Sequence, residues 1–172
     1  SGLSEAVKGA LVKDGAFFDW LEANVGSLNL LDPPVLEEAV ERSAILHARH
    51  IALGGDPFET GSSRPLDFGH WTAHKMEQLT DFELSHADAV SVGVALDTLY
   101  SARCGWLPEE DAWRVVRVLQ GLKLPVWHES LEMKDEKGRR LVYRGLEEFR
   151  EHLGGELTVL MLEAVGRGVD RH

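Results

Sequence analysis

The 172 residues are enough for one domain, and a chain of this size buries roughly two thirds of its unfolded surface. Eighteen Lys and Arg against twenty-nine Asp and Glu leave a net charge of -11, which repels a phosphate backbone and argues against nucleic acid as a partner. The single Cys104 excludes an internal disulfide and a thiolate metal cluster, which fits a cytoplasmic protein, and no apolar run approaches the roughly 20 residues of a membrane span.

From Leu3 to Asn24 the apolar residues Leu3, Val7, Leu11, Phe17, Phe18 and Leu21 recur at helical steps interrupted near Gly15, so one helix or two short ones are expected. Pro33 and Pro34 open the next, whose stripe through Val35, Ala39, Ile45, Leu46 and Ile51 runs to about Leu53. The segment GGDPFETGSSRP, from Gly54 to Pro65, is rich in turn residues and reads as a loop. His70 to Leu79 and Ala87 to Ala102 are two further helices, the second ending near Gly105. Pro108 with Glu109, Glu110 and Asp111 starts another, because acids suit the positive end of a helix dipole. Leu146 to Leu153 is compatible with helix, and ELTVLML, Glu156 to Leu162, reads as a short buried strand. The expected architecture is mainly α, multi-helical, with a short C-terminal β element. No glycine-rich strand-to-helix turn of the kind that cradles a dinucleotide is present in the sequence.

Chemistry-bearing residues gather in one region. In DFGHWTAHKME, His70 and His74 stand four apart, so on a helix both imidazoles leave the same face, a geometry zinc accepts. The same spacing describes a surface helix with two solvated histidines, and spacing alone favours that reading. His86 lies immediately before a strongly apolar helix, where an unpaired imidazole is costly to bury. A cap or a bond to a backbone carbonyl would also account for it. Glu5 is a further donor, or simply a first-turn carboxylate stabilised by the helix dipole.

Three segments, in order, resemble the 3-dehydroquinate synthase family of sugar phosphate cyclases. GLSEAVK, Gly2 to Lys8, is similar to the family's Gly-x-x-Glu-x-x-Lys. FGHWTAHKME is similar to Phe-Gly-His-x-x-x-His-x-x-Glu, and HADAVSVGV to His-Gly-Glu-Ala-Val-x-x-Gly-Met. The resemblance implies a metal-binding helical catalytic domain over residues 1–172, with an NAD-binding domain expected to precede it. The opening SGLSEAVKG lacks an initiator Met and already carries Glu5, as a piece of a longer chain would. By the resemblance Glu5, His70 and His86 are the metal ligands, zinc foremost with cobalt as the alternative, and His74 is not a ligand. His74 and Lys8 become catalytic pocket residues that meet the substrate phosphate.

Departures from the family pattern bear on the substrate. His47 stands where the family has Lys, Ser63 and Asp67 stand where it has Arg and Asn, with Arg64 displaced by one, and FREHLGG offers Arg150 and His152 near the family's Asp-Lys-Lys. The implied substrate contacts are therefore Lys8, His47, Arg64, Asp67, His74, Arg150 and His152. An Asp at position 67 repels a substrate carboxylate but accepts hydrogen bonds from hydroxyls.

The resemblance implies an NAD-dependent lyase acting on a phosphorylated ketose by transient oxidation, phosphate elimination, reduction and intramolecular aldol closure. A carboxylate-free sugar phosphate is the first expectation and 3-dehydroquinate synthase itself the alternative. A non-catalytic metal-binding helical module is a third. The expected partners are a small sugar phosphate, the NAD-binding domain or chain, and a homodimer mate, with no nucleic acid and no membrane.

Overall fold

The computed structural model describes residues 2–54, 67–152 and 157–172. The first stripe is two helices, α1 (Gly2–Lys13) and α2 (Gly15–Ala23). Asp14 makes the break, since its side chain accepts from Phe17 N at 3.0 Å and so caps α2. The α1 face of Ala6, Val7, Ala10 and Leu11 and the α2 face of Phe17, Phe18 and Leu21 are buried together. Full burial of each larger apolar side chain contributes about 1.5 to 3 kcal/mol. A five-residue helix, α3 (Val25–Asn29), lies outside the sequence expectations, and α4 (Pro33–Gly54) follows with its proline in the first turn as expected. It packs along α1, where a Cβ on Gly9 would come within 3.0 Å of Leu46 Cδ2.

The centre of the domain is the pair α5 (His70–Leu79) and α6 (His86–Arg103). Ten α6 residues are buried, from Ala89 to Ser101, and most are small, so neighbouring helices approach closely. The closest approach is at Gly69 and Gly93. A Cβ on Gly93 would lie 2.0 Å from Gly69 O, while Gly69 has φ +75°, open to glycine at little cost. Glycine at both positions therefore fixes where the start of α5 meets the middle of α6.

On the far side of α6 packs α7 (Glu109–Gly121), with Ala112, Val115, Val118 and Leu119 inward and Glu109, Glu110 and Asp111 in its first turn. Arg114 ties α7 to α2, through Glu22 Oε2 at 2.6 Å and Asp19 Oδ1 at 2.8 Å. Two short 3-10 turns, Glu129–Glu132 and Leu141–Tyr143, lead to α8 (Arg144–His152), which packs on α5 and is pinned by Lys75 Nζ to Glu148 Oε1 at 2.5 Å.

The chain ends in an antiparallel hairpin of β1 (Val159–Ala164) and β2 (Arg167–Arg171), with Met161 opposite Val169 and a register shift between Leu162 and Ala164. The expected strand thus begins later than the sequence suggested, and Glu156 lies outside the described residues. Leu160, Met161 and Leu162 are buried, and β1 lies against α6. The hairpin turn reaches back to α1, where Gly166 N donates to Leu11 O at 2.7 Å and satisfies one carbonyl at that helix end. The mainly helical architecture with a short C-terminal β element is as the sequence predicts. Among the described residues, no helix is long and apolar enough to cross a membrane.

Candidate metal centre

Three helix starts converge at one end of the bundle. α1 contributes Glu5 and, one turn later, Lys8; α5 contributes His70, His74 and Glu77; α6 begins with His86. The connection from α5 to α6 is tight and costly, since Asp81 and Phe82 both have positive φ, 49° and 62°. Thr80 steadies it by donating its hydroxyl to Met76 O at 2.9 Å and accepting from Leu84 N at 3.3 Å. Ser85 then caps α6 by accepting from Asp88 N. The result turns the chain back so that His86 stands over Glu77.

The donor atoms of Glu5, His70 and His86 lie within 4.8 Å of one another. Nε2 of His70 is 3.8 Å from Glu5 Oε1, and Nε2 of His86 is 3.9 Å from the same oxygen. Both separations exceed a hydrogen bond, so the three groups face a common point without closing on each other. The other ring nitrogens are engaged: Nδ1 of His70 lies 3.3 Å from Phe68 O and Nδ1 of His86 lies 3.2 Å from Glu77 Oε1. With an acceptor at each Nδ1, the proton belongs there and the Nε2 lone pairs are left toward Glu5.

The electrostatics suit a cation. Burial, then the Lys8 ammonium, lowers the His70 imidazole to about 4, so this ring is neutral near pH 7. Burial pushes the Glu5 carboxyl up, but Lys8, by charge and by hydrogen bond, and then His70 and His86 bring it below its ordinary value. An ionised carboxylate and imidazole nitrogens are ligands that zinc and cobalt accept. The residues present fit a divalent metal.

The other predicted site residues fall at different distances from this point. His74 is exposed one turn along α5, its ring centroid 5.4 Å from that of His70 and 6.1 Å from that of His86. Lys8 is only 2% exposed, with Nζ 2.6 Å from Glu5 Oε2, so its ammonium sits behind the carboxylate. His47 is exposed on α4 and lines, with Glu5, Leu3, Ala6 and Ser43, a groove of about 740 Å³ between α1 and α4. Asp67 is half-buried just ahead of α5, and Arg150 is exposed on α8. Ser63, Arg64 and the side chain of His152 lie outside the described residues, as does most of the loop read at Gly54 to Pro65.

Two residues whose roles the sequence reading missed support the centre. Glu77 accepts at His86 Nδ1, and its place seven residues after His70 and three after His74 puts it on their helix face, a legible signal. Asp97, fully buried on α6, accepts from Gly69 N at 2.8 Å and from Trp71 Nε1 at 3.0 Å, gripping the chain on both sides of His70. It serves the start of α5 as a cap supplied by another helix, where Gly69 has no side chain to offer.

Comparison with known proteins agrees with this architecture. The model of the 3-dehydroquinate synthase C-terminal family matches residues 2–142. The 3-dehydroquinate synthase of Halorhodospira halophila is 34% identical over 98% of this chain and 46% of its own length, and that of Methylococcus capsulatus is 37% identical over 73% of this chain and 35% of its own. Among solved structures, 2-epi-5-epi-valiolone synthase from Streptomyces hygroscopicus subsp. jinggangensis 5008, with NAD+ and Zn2+ bound, superposes with a TM-score of 0.85 at 28% identity, covering 98% of this chain and 45% of that one. A 2-deoxy-scyllo-inosose synthase, complexed with carbaglucose-6-phosphate, NAD+ and Co2+, shares the fold at a TM-score of 0.69 and 19% identity, over 98% of this chain and 45% of that one. The chain thus spans about half the length, or less, of the relatives it matches. From a matched family model over most of its length, a shared fold and relatives above 30% identity, the chain belongs to the 3-dehydroquinate synthase family, through that family's C-terminal domain.

Proposed function

We propose that this chain is the metal-binding half of a cytoplasmic sugar phosphate cyclase, in which Glu5, His70 and His86 hold one divalent cation, zinc foremost. The observation that carries the reading is the pair of imidazole Nε2 atoms facing one Glu5 oxygen at 3.8 and 3.9 Å while both Nδ1 atoms have acceptors. When bound, the metal supplies Lewis acidity and a template for substrate hydroxyls. NAD, held mainly by residues outside this chain, supplies reversible hydride transfer.

The chain's own residues then orient and charge the pocket. Glu5 is kept ionised by Lys8, and the buried ammonium adds positive potential beside the site where an anionic substrate enters. His74, exposed beside the ligands on the same helix face, meets the phosphate. Glu77 holds His86 in one ring orientation, and Phe68 O does the same for His70. His47, on the groove shared with Glu5, and Asp67, at the entry to α5, contact the sugar, with Arg64, Arg150 and His152 as further candidate contacts.

The substrate we propose is a phosphorylated ketose without a carboxylate. At positions where the family pattern places Lys, Arg and Asn, this chain has His47, Ser63 and Asp67, which together offer less positive charge for binding a carboxylate. The likeness to the valiolone synthase structure supports the same direction. A second reading, 3-dehydroquinate synthase itself, is favoured by the names of the relatives at 34% and 37% identity. Full-length protein with NAD and zinc, presented with neutral and acidic heptulose phosphates, separates the two by phosphate release. A higher kcat/KM on the neutral sugar is expected. Preference for the acidic heptulosonate phosphate would overturn the substrate assignment in favour of the second reading.

A further inference from the structure

The donor atoms at this end of the bundle form two overlapping triads. Besides Glu5, His70 and His86, the side chains of His74, Glu77 and His86 each bring one donor within 4.8 Å of the others. His86 is common to both, and its ring nitrogens serve different neighbours, Nε2 facing Glu5 at 3.9 Å and Nδ1 facing Glu77 at 3.2 Å. His74 and Glu77 stand one turn apart on α5, so they share a face. The rings of His74 and His86 are nearly parallel, 27° between planes.

We propose that His74, Glu77 and His86 form a second, weaker divalent-cation site that fills when metal is in excess and withdraws His74 from the substrate. Two imidazoles and a carboxylate are a complete protein ligand set for zinc, with room for water in the fourth position. Ligands at about 2.0 to 2.1 Å on a tetrahedral ion stand roughly 3.4 Å apart, close to the 3.2 Å already present between His86 Nδ1 and Glu77. His74 closes the set by rotating an exposed side chain, which requires no repacking of the core.

The site is weaker than its neighbour for three physical reasons. His74 is exposed and His86 half-exposed, so water competes for the ion. With the first ion on Nε2, an ion at Nδ1 of His86 displaces the proton held toward Glu77, which is released to water and leaves an imidazolate between the two ions, at a cost near neutral pH. Two cations on one imidazole also repel each other. The consequence is inhibition by excess zinc, competitive with the sugar phosphate, because the ion holds the imidazole proposed to meet the phosphate.

The test is a zinc titration of metal-free full-length protein by equilibrium dialysis, read as zinc bound per chain. Two ions are expected, the second at clearly higher free zinc, and His74→Ala should lose the second while keeping the first. Glu77→Gln should lose the second as well, which guards against a peculiarity of either variant. His70→Ala separates this inference from the proposed function, since it should lose the tight ion and retain a weak one. A single ion per chain at saturating zinc overturns the proposal, as does a second ion that persists in both His74→Ala and Glu77→Gln. Loss of the tight ion in His74→Ala would also overturn it, by making His74 a ligand of the first site.

Discussion

The two ends of the α6 contact with α5 are built on opposite principles. The groups that meet Asp97 close on one another: the carboxylate accepts from Gly69 N and Trp71 Nε1, Ser101 Oγ donates to Asp97 O at 2.7 Å, and Leu162 N donates to Ser101 Oγ at 3.0 Å. Around Glu5 the two imidazole Nε2 atoms converge and stop short, 3.8 and 3.9 Å from Oε1. A closed network in a low-dielectric interior rigidifies, whereas an open set of lone pairs is ready for a ligand that none of its members supplies. The first region is therefore a frame for the second, and Gly69, adjacent to His70, joins them.

The strongest way to break the frame is Asp97→Ala, which leaves two buried N–H donors without an acceptor at about 1 to 3 kcal/mol each. Urea unfolding should show a loss of roughly 2 to 6 kcal/mol, and a change near zero would mean that the grip on α5 is dispensable. Asp97 also predicts a pH dependence. Burial raises its carboxyl to about 7 from the ordinary 3.8, so the folded state holds the proton more tightly between those values. Its contribution to stability therefore falls as pH rises from about 4 to about 7 and is level above that, and Asp97→Asn should flatten this slope.

A sharper comparison comes from changing the orientation of one ligand while leaving the frame intact. Glu77→Gln removes the charged acceptor at His86 Nδ1, and the tight metal should bind about 10- to 100-fold more weakly with little change in unfolding free energy. Unchanged affinity would mean that α6 alone orients His86. The smallest expected effect is at the cap of α6 beside His86. Ser85→Ala removes the side-chain acceptor of Asp88 N and should cost about 1 kcal/mol, read from the urea midpoint.

Most of the fold was legible because the strongly periodic segments are long. The stripes from Leu3, from Pro33, through His70 to Leu79 and through Ala87 to Ala102 each correspond to helices. What escaped has physical reasons. Five residues of α3 are too few to show a helical period, and β2, RGVDR, lacks the apolar alternation that marks a strand because it is held by pairing with β1 and packing on α1. At the site, spacing alone placed His70 beside His74 and favoured two solvated imidazoles, since neighbours on one helix are visible in sequence and neighbours on different helices are not. Grouping Glu5 with His70 and His86 needed the resemblance. Glu77 was readable from its helical spacing, and Asp97 was the one acid between Ala89 and Ala102.

The central claim is that Glu5, His70 and His86 bind one metal within a frame that does not depend on it. The most direct measurement is zinc content by elemental analysis of full-length His70→Ala, His86→Ala and His74→Ala proteins, dialysed against zinc at a level that fills only the tight site. Loss of the ion is expected from the first two, with near-stoichiometric zinc in the third and similar circular dichroism in all. Full zinc in both His70→Ala and His86→Ala would contradict it.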